Sequence, residues 1–473
     1  MEQIGLDTGH PSAISNGRAP QAAGRGLHPT RKATEGRVLA TVTSVGAAGN
    51  QDIDGLLSGL KWSGTLTYSF PDSSGDYGAG YGYGEPRSAG FAQVSAMQQQ
   101  AVHAIMAQIA GFTNLTIEFA GTNGADIRLA QSSAANPTSY AYYPGISEGG
   151  DVWYGTQYSY RDPVLGTYAY LTHIHEIGHA LGLKHSHEAE GVANIAVPLA
   201  HDALEYTVMS YRSYVGGPTT GSYTNEVYGF PTTFMMNDIR ALQEMYGADF
   251  TTRSGNTIYA WNPNTGECSI DGLGQGRPGG SSAGAAANVV FMTVWDGGGN
   301  DTYDFSSYST ALTVNLNPGA CSITGAAQLA YLGNGQYAHG NVYNAYLFNG
   351  DVRSYVENAV SGSGGDTLVG NALSNRLDGG AGADTLTGGA GNDSMTGGDG
   401  IDRLTGGDGN DTFVLTGTGD SLDIFDGGTG IDAIRVTGST DLILANFRAA
   451  AASVEVWSGK RRGPDRHSIR QLV

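Results

Sequence analysis

Apolar and polar residues alternate over 65–70 (Thr-Leu-Thr-Tyr-Ser-Phe), the period-two pattern of a half-buried strand. After a Gly/Tyr/Ser-rich loop at 72–90 the period changes. Val102, Ile105, Ile109 and Phe112 fall on one helical face, and Ser95 with Gln98 three residues on forms a capping box. Short strands are predicted over 115–119, 126–130, 139–143 and 152–154, then a helix from near Gly166 with Ile177 and Leu181 facing the core. An irregular run to 206–211 precedes a last helix over 237–247. Its apolar positions are Ile239, Leu242 and Met245, and Gly247 stops it. This order predicts an α+β unit over 51–250, with helices packed on a twisted mixed sheet.

From residue 251 the chain changes character. A Gly/Ser/Ala-rich stretch at 266–288 reads as a mobile loop. Units of nine residues then follow without a break from Gly379, Gly388, Gly397 and Gly406, with a lead-in at Ser361 and a degenerate copy at Gly370 carrying Asn375. A late copy, Gly427 to Asp432, is out of phase by three residues. The glycines (Gly362, Gly364, Gly380, Gly382, Gly389, Gly391, Gly398, Gly400, Gly407 and Gly409) form turns whose carbonyls point inward. Asp366, Asp384, Asp393, Asp402 and Asp411 add carboxylates. Those are the hard oxygen ligands that calcium takes. The apolar residue two beyond each aspartate (Leu386, Met395, Leu404, Phe413) lies on a short strand that stacks inside. The expectation is an all-β parallel β-roll over 251–473, with core repeats 361–414 bridged by several structural Ca2+ ions.

Charge and composition narrow the partners. The 473-residue chain carries 44 acidic against 24 basic residues, so nucleic acid is not an expected partner, whereas bound cations are. No apolar run is long enough for membrane insertion. Residues 1–50 read as a disordered extension or a short pro-segment, with order beginning near Ile53, and no Sec-type signal peptide is visible. Two cysteines, Cys268 and Cys321, exclude a disulfide framework and leave one bridge open.

The candidate chemistry sits between His173 and His185. His175, Glu176, His179, Gly182 and His185 fit H-E-x-x-H-x-x-G-x-x-H. Residues four apart on a helix lie one turn above each other, so His175 and His179 present imidazoles to one ion. Glu176 reaches a water on that ion without binding it. Gly182 leaves the helix in a left-handed conformation and brings round His185 as third ligand. Three nitrogens and an open position describe a single catalytic Zn2+ rather than a structural one. His173 and His187 have the wrong spacing and read as bystanders.

The zinc motif, the segment Met209-Ser-Tyr211 and the nonapeptides together resemble the serralysin family of secreted bacterial metalloproteases, which are metzincins. The resemblance extends over about 50–435, including 139–145 and 238–248. It implies a zinc metalloendopeptidase cutting extracellular proteins and peptides with broad specificity, monomeric and exported by a type I secretion machinery. It further implies that Met209 forms a turn beneath the metal, that Tyr211 is an extra displaceable ligand with a catalytic role, and that Ala141, Tyr142 and Tyr143 take substrate as an added strand. A calcium set ahead of the repeats is implied at Arg253, Gly255, Thr257, Asp296, Gly298, Gly299, Asp301, Tyr355 (through its carbonyl) and Glu357. The chain departs from the family where Ser186 and His187 follow the third histidine in place of the usual proline. It departs again at 460–473, basic where the family tail is acidic and hydrophobic. A matrixin-like subfamily, or a calcium-dependent adhesin carrying an inactive protease fold, are the alternatives.

Overall fold

The computed structural model describes residues 40–437 apart from 79–80, 82–83, 85–89, 282–283, 285–286 and 418, together with 453–454 and 456–459. Most of the expected N-terminal extension and all of the basic ending at 460–473 therefore lie outside the described residues.

The N-terminal unit is built on a six-stranded mixed sheet. Leu66–Ser69 pairs in parallel with Ile117–Phe119 and Ile127–Gln131, and Ile127–Gln131 pairs in parallel with Val152–Tyr154. Ser139–Ala141 is antiparallel to Val152–Tyr154 and closes that edge. The helices Ala96–Phe112 and Tyr168–Leu181 form where the periodicity places them, and Ser95 with Gln98 makes the capping box in both directions. Ile177 and Leu181 are fully buried in the core between helices and sheet. Met236–Tyr246 is the third long helix, ended by Gly247 at φ 80°, which a side chain would strain.

The C-terminal half consists mainly of strands in two parallel stacks. One runs Thr313–Asn315, Thr367–Val369, Thr385–Ala390, Arg403–Asp408 and Ile424–Thr429. The other runs from Ile258–Trp261 through Thr302–Asp304, Asn358–Val360, Arg376–Asp378, Ser394–Thr396 and Thr412–Leu415 to Ala433–Val436. Nonapeptides alternate between the stacks, so Leu368, Leu386, Leu404 and Phe425 on one face Leu377, Met395, Phe413 and Ile434 on the other in one buried cluster. The three-residue phase slip is absorbed at the 3-10 turn Gly419–Leu422, after which Leu404 pairs with Phe425 and Phe413 with Ile434. Ordered coils therefore continue past residue 414.

Two expectations need correcting. Order does not wait for Ile53: Thr41–Ser44 is a strand, antiparallel to Leu60–Ser63. Its Ala40 N–H is held by the buried Asp126 carboxylate. The stretch at 266–288 is not simply a mobile loop. Cys268–Ile270 and Leu273–Gly274 form a hairpin that extends the longer stack from Ile258–Trp261, because Cys268 and Trp261 bury side chains there. Cys268 and Cys321 are both free thiols.

The two halves share a core. Phe291, Trp295, Leu332 and Tyr343 from beyond the first unit pack in the same cluster as the motif helix. Glu205, buried ahead of the Met209 segment, accepts hydrogen bonds from His339 and Tyr343.

Candidate metal centre

The motif helix carries His175 and His179 on one face, and Gly182 (φ 109°) reverses the chain so that His185 returns to them. Two of the Nδ1 atoms have carbonyl partners, Val208 for His175 (2.8 Å) and Leu183 for His179 (2.8 Å), and Nδ1 of His185 stands 3.2 Å from the Glu188 carboxylate. Those partners set the tautomer and leave each Nε2 lone pair free. The three rings converge, with ligand atoms within 4.8 Å of one another and the Nε2 atoms of His179 and His185 3.0 Å apart. Burial holds all three imidazoles neutral, pushing His175 down to about 4 and the other two well below their usual value. Neutral, convergent and oriented imidazoles are a donor set that fits zinc.

Glu176 is buried beside them. Ser139, on the edge strand, donates its hydroxyl to Glu176 Oε1 at 2.7 Å, while Oε2 is buried with no hydrogen-bond partner. Burial pushes this carboxyl up to about 8, and the Ser139 hydrogen bond acts against that shift.

Met209 is fully buried beneath the helix, and Gly178 is what admits it, since a Cβ there would come within 2.8 Å of Sδ. The Met209 segment is held from below. Asp238 accepts from Thr207 Oγ1 and the Val208 N–H, and Asp202 accepts from Ser186, Ser210 and Arg212. Ser186 thus has a physical account in this chain: its N–H donates to the Met209 carbonyl and its hydroxyl donates to Asp202 at 2.6 Å. The Tyr211 ring lies 4.4 Å from that of His185 and is 39% exposed, at the mouth of the cluster.

The edge strand divides the expected substrate-binding residues. Tyr142 donates its N–H to the Asp151 carbonyl and accepts from the Gly150 N–H, so its backbone is already used, and its ring packs beside Trp153. Tyr142 is therefore corrected as a backbone partner for an added strand. Ala141 and Tyr143 alternate with it and turn their backbones to the open edge. The Tyr143 ring stands 5.5 Å from His179. His173 is a packed bystander, stacked on Tyr154. His187 is not remote: its ring stacks on His185 at 5.5 Å and lies 5.0 Å from Tyr211.

In the repeats the buried aspartates that precede the short strands behave alike. Asp384, Asp402 and Asp423 each use Oδ1 on the N–H of the aspartate one coil earlier, at 2.7–3.0 Å. Asp411 and Asp432 do the same, and Asp393 takes the Asn375 N–H. The second oxygen of each, and that of Asp366, is buried without a hydrogen-bond partner. Orphaned carboxylate oxygens lined up beside glycine carbonyls fit calcium. The glycines are required sterically, since a Cβ on Gly382 or Gly400 would collide with the carbonyl of Gly364 or Gly382 one coil away. At the degenerate copy Asn375 instead donates to the Glu357 carbonyl and Asn371. Asp423 and Asp432 are further members. The late copy signals Asp432, and nothing in the sequence pattern singles out Asp423.

The upstream set is also assembled. Asp296 lies close to Asp301, Glu357 accepts the Asp301 N–H, and Asp301 Oδ1 accepts from Thr257, leaving Oδ2 unpartnered. Burial and the charges of Asp296 and Glu357 raise the Asp301 carboxyl. Gly255 packs against Gly299, and Arg253 donates to the Trp295 carbonyl.

Comparison with known proteins agrees with this arrangement. Residues 66–205 match the family described as Matrixin, and residues 248–447 the family described as Peptidase M10 serralysin C terminal. The first match falls on the mixed α/β unit that carries the three-histidine cluster, and the second on the strand-rich C-terminal half. Serralysin C of Dickeya chrysanthemi is 37% identical over 238 residues, 49% of this chain and 43% of the relative. Metalloprotease AprA of Pseudomonas entomophila is 35% identical over 301 residues, 61% and 56% respectively. Serralysin G of Dickeya chrysanthemi is 31% identical over 331 residues, 67% and 61%. The chain belongs to the serralysin family. It spans about half the length of the curated relatives it matches.

Proposed function

We propose that this chain is a secreted, calcium-stabilised zinc endopeptidase that hydrolyses peptide bonds in extracellular proteins with broad specificity. The observation that carries the reading is the convergence of three oriented imidazole nitrogens beside a buried carboxylate with one free oxygen. Zinc held by His175, His179 and His185 would act there as a Lewis acid, acidifying a water and polarising the scissile carbonyl. Glu176 takes the proton from that water through its free oxygen and hands it to the leaving amine, while Ser139 fixes the other oxygen. Tyr211, at the mouth of the cluster, donates its phenolic hydrogen to the oxyanion as charge develops. Ala141 and Tyr143 hold an extended substrate against the open sheet edge.

The C-terminal half is read as a parallel β-roll, its turns bridged by calcium through the orphaned aspartate oxygens and glycine carbonyls. Asp296, Asp301 and Glu357, with the loop of Arg253, Gly255 and Thr257 and the Tyr355 carbonyl, hold a further ion ahead of it. That chemistry suits a compartment rich in calcium. Among the described residues no helix is long and apolar enough to cross a membrane. Export by a type I machinery belongs to the same reading.

The test is cleavage of casein by the full chain with zinc and calcium removed and restored separately. Loss on zinc removal and recovery on its return are expected, with a Glu176→Ala chain that keeps its zinc yet stays inactive. Wild-type cleavage by Glu176→Ala would remove the assignment.

A further inference from the structure

Beside the three-histidine cluster lies a second group of donors, of which the proposed reaction uses only His185. His185, His187 and Glu188 each place a ligand atom within 4.8 Å of the other two. The groups adjoin because His185 has two nitrogen faces: Nε2 meets Nε2 of His179, and Nδ1 meets Glu188 Oε2 at 3.2 Å. His187 adds a third donor. Its ring is stacked on His185 with an interplanar angle of 18°, and its Nδ1 is buried with no hydrogen-bond partner. A buried ring nitrogen without a partner is uncommon enough to call for an explanation. Packing alone would be served as well by an apolar ring.

We propose that His187, Glu188 and the outer nitrogen of His185 form a second, weaker site for a divalent transition metal, sharing the His185 imidazole with the first. Two imidazoles and one carboxylate suit zinc or copper, and not calcium, which takes six or more oxygens. The site is the weaker of the two for physical reasons. A metal there must displace the Nδ1 proton of His185, draw Glu188 from its present place 3.2 Å from that nitrogen, and sit close to another dication. Filling it is inhibitory, because it removes the carboxylate that orients His185 and places a cation beside Tyr211, whose ring is 5.0 Å from His187. The inference rests on the zinc reading of the first cluster.

Equilibrium dialysis of the calcium-loaded full chain against rising free zinc tests it, with wild type, His187→Ala and the bulkier His187→Gln compared. Wild type is expected to take up one ion tightly and a second more weakly. Both variants keep the tight ion and lose affinity for the second by roughly 10- to 100-fold. Excess zinc that slows wild-type cleavage of casein leaves His187→Gln unslowed. An unchanged second uptake in a folded variant overturns the site. A measurement on wild type alone guards against variants that do not fold: Cu2+ added to the zinc-loaded chain should show imidazole nitrogen couplings in its electron paramagnetic spectrum, and a spectrum without them overturns the proposal. A chain that binds one zinc and cleaves casein leaves the proposed function standing without this site, whereas a chain that binds no zinc removes both.

Discussion

Ser139 donates its hydroxyl hydrogen to Oε1 of Glu176 at 2.7 Å, joining the edge strand of the sheet to the motif helix. The bond fixes one carboxylate oxygen and leaves the other free, so a single rotamer serves proton transfer. A hydrogen bond to a charged group contributes about 1.5–3 kcal/mol, which corresponds to roughly 10- to 100-fold in rate if it is needed in the transition state. Ser139→Ala should therefore lower kcat by about that factor with KM and zinc content little changed. Ser139→Thr, which keeps the hydroxyl, should recover most of it. Equal losses in both variants would show that only packing matters at this position.

Glu176→Gln keeps the shape of the side chain and its contact with Ser139 but cannot accept a proton. The expected result is a chain with one zinc, a normal melting temperature and cleavage reduced by about 100-fold or more. Metal analysis alongside a peptide assay separates this from loss of the metal.

The sequence exposed the centre more fully than its surroundings. His175, Glu176, His179 and His185 were legible because their spacing is dictated by helix geometry and one glycine turn, all local. The aspartate ladder was legible because its period repeats. Ser139 and Asp238 were not, since a serine in a strand and an aspartate at a helix start carry no mark of the long-range partner they meet. The hairpin at 268–274 was missed because low complexity resembles a loop until Trp261 supplies a burial partner. Thr41–Ser44 was missed because its exposed residues show no apolar period, and only pairing with Leu60–Ser63 makes it a strand.

Lys184 is fully buried one residue before His185. Its ammonium donates to the carbonyls of Gly55 (2.5 Å), Glu188 (2.6 Å) and Ile195 (3.1 Å), tying the loop after the motif helix to the N-terminal segment. Lys184→Met keeps the length of the stem but leaves those carbonyls unpaired, at about 1–3 kcal/mol each where no water replaces the ammonium. A lower melting temperature and weaker zinc retention under competition from a chelator are expected. An unchanged melting curve would show that water fills the place of the ammonium.

Without calcium the repeats should prefer acid. Burial, reinforced by charges of neighbouring aspartates, pushes Asp384, Asp393 and Asp423 up to about 7. Unfolded aspartates titrate near ~3.9, so between about 4 and 7 the folded chain holds more protons, and stability falls as pH rises. The stabilising effect is fully present below the unfolded value and lost above about 7. Calcium favours the charged carboxylates and should remove or reverse this slope. Melting curves at pH 5.5 and pH 8 in calcium-free buffer, repeated with calcium, check it. A calcium-free chain more stable at pH 8 than at pH 5.5 would contradict the account.

Two glycine-to-alanine changes in helices should act with opposite sign. In a helix interior Ala is favoured over Gly by about 0.5–1 kcal/mol. At Gly111 the nearest atom to an added Cβ is Thr252 Cγ2 at 3.5 Å, an ordinary contact, so Gly111→Ala should stabilise the chain by about that amount. At Gly178 the same Cβ meets the fully buried Met209 Sδ at 2.8 Å, with Leu183 and Phe234 at 3.5 Å closing the space around it. Overpacking of this kind costs about 1–3 kcal/mol, which outweighs the helix gain. Gly178→Ala should therefore melt earlier than wild type. Because Gly178 lies between His175 and His179, pushing the helix off Met209 also misaligns the two imidazoles, and zinc should be lost at lower chelator concentration. Raised stability in both variants would mean that Met209 has room to move aside, and that the methionine turn does not brace the metal site.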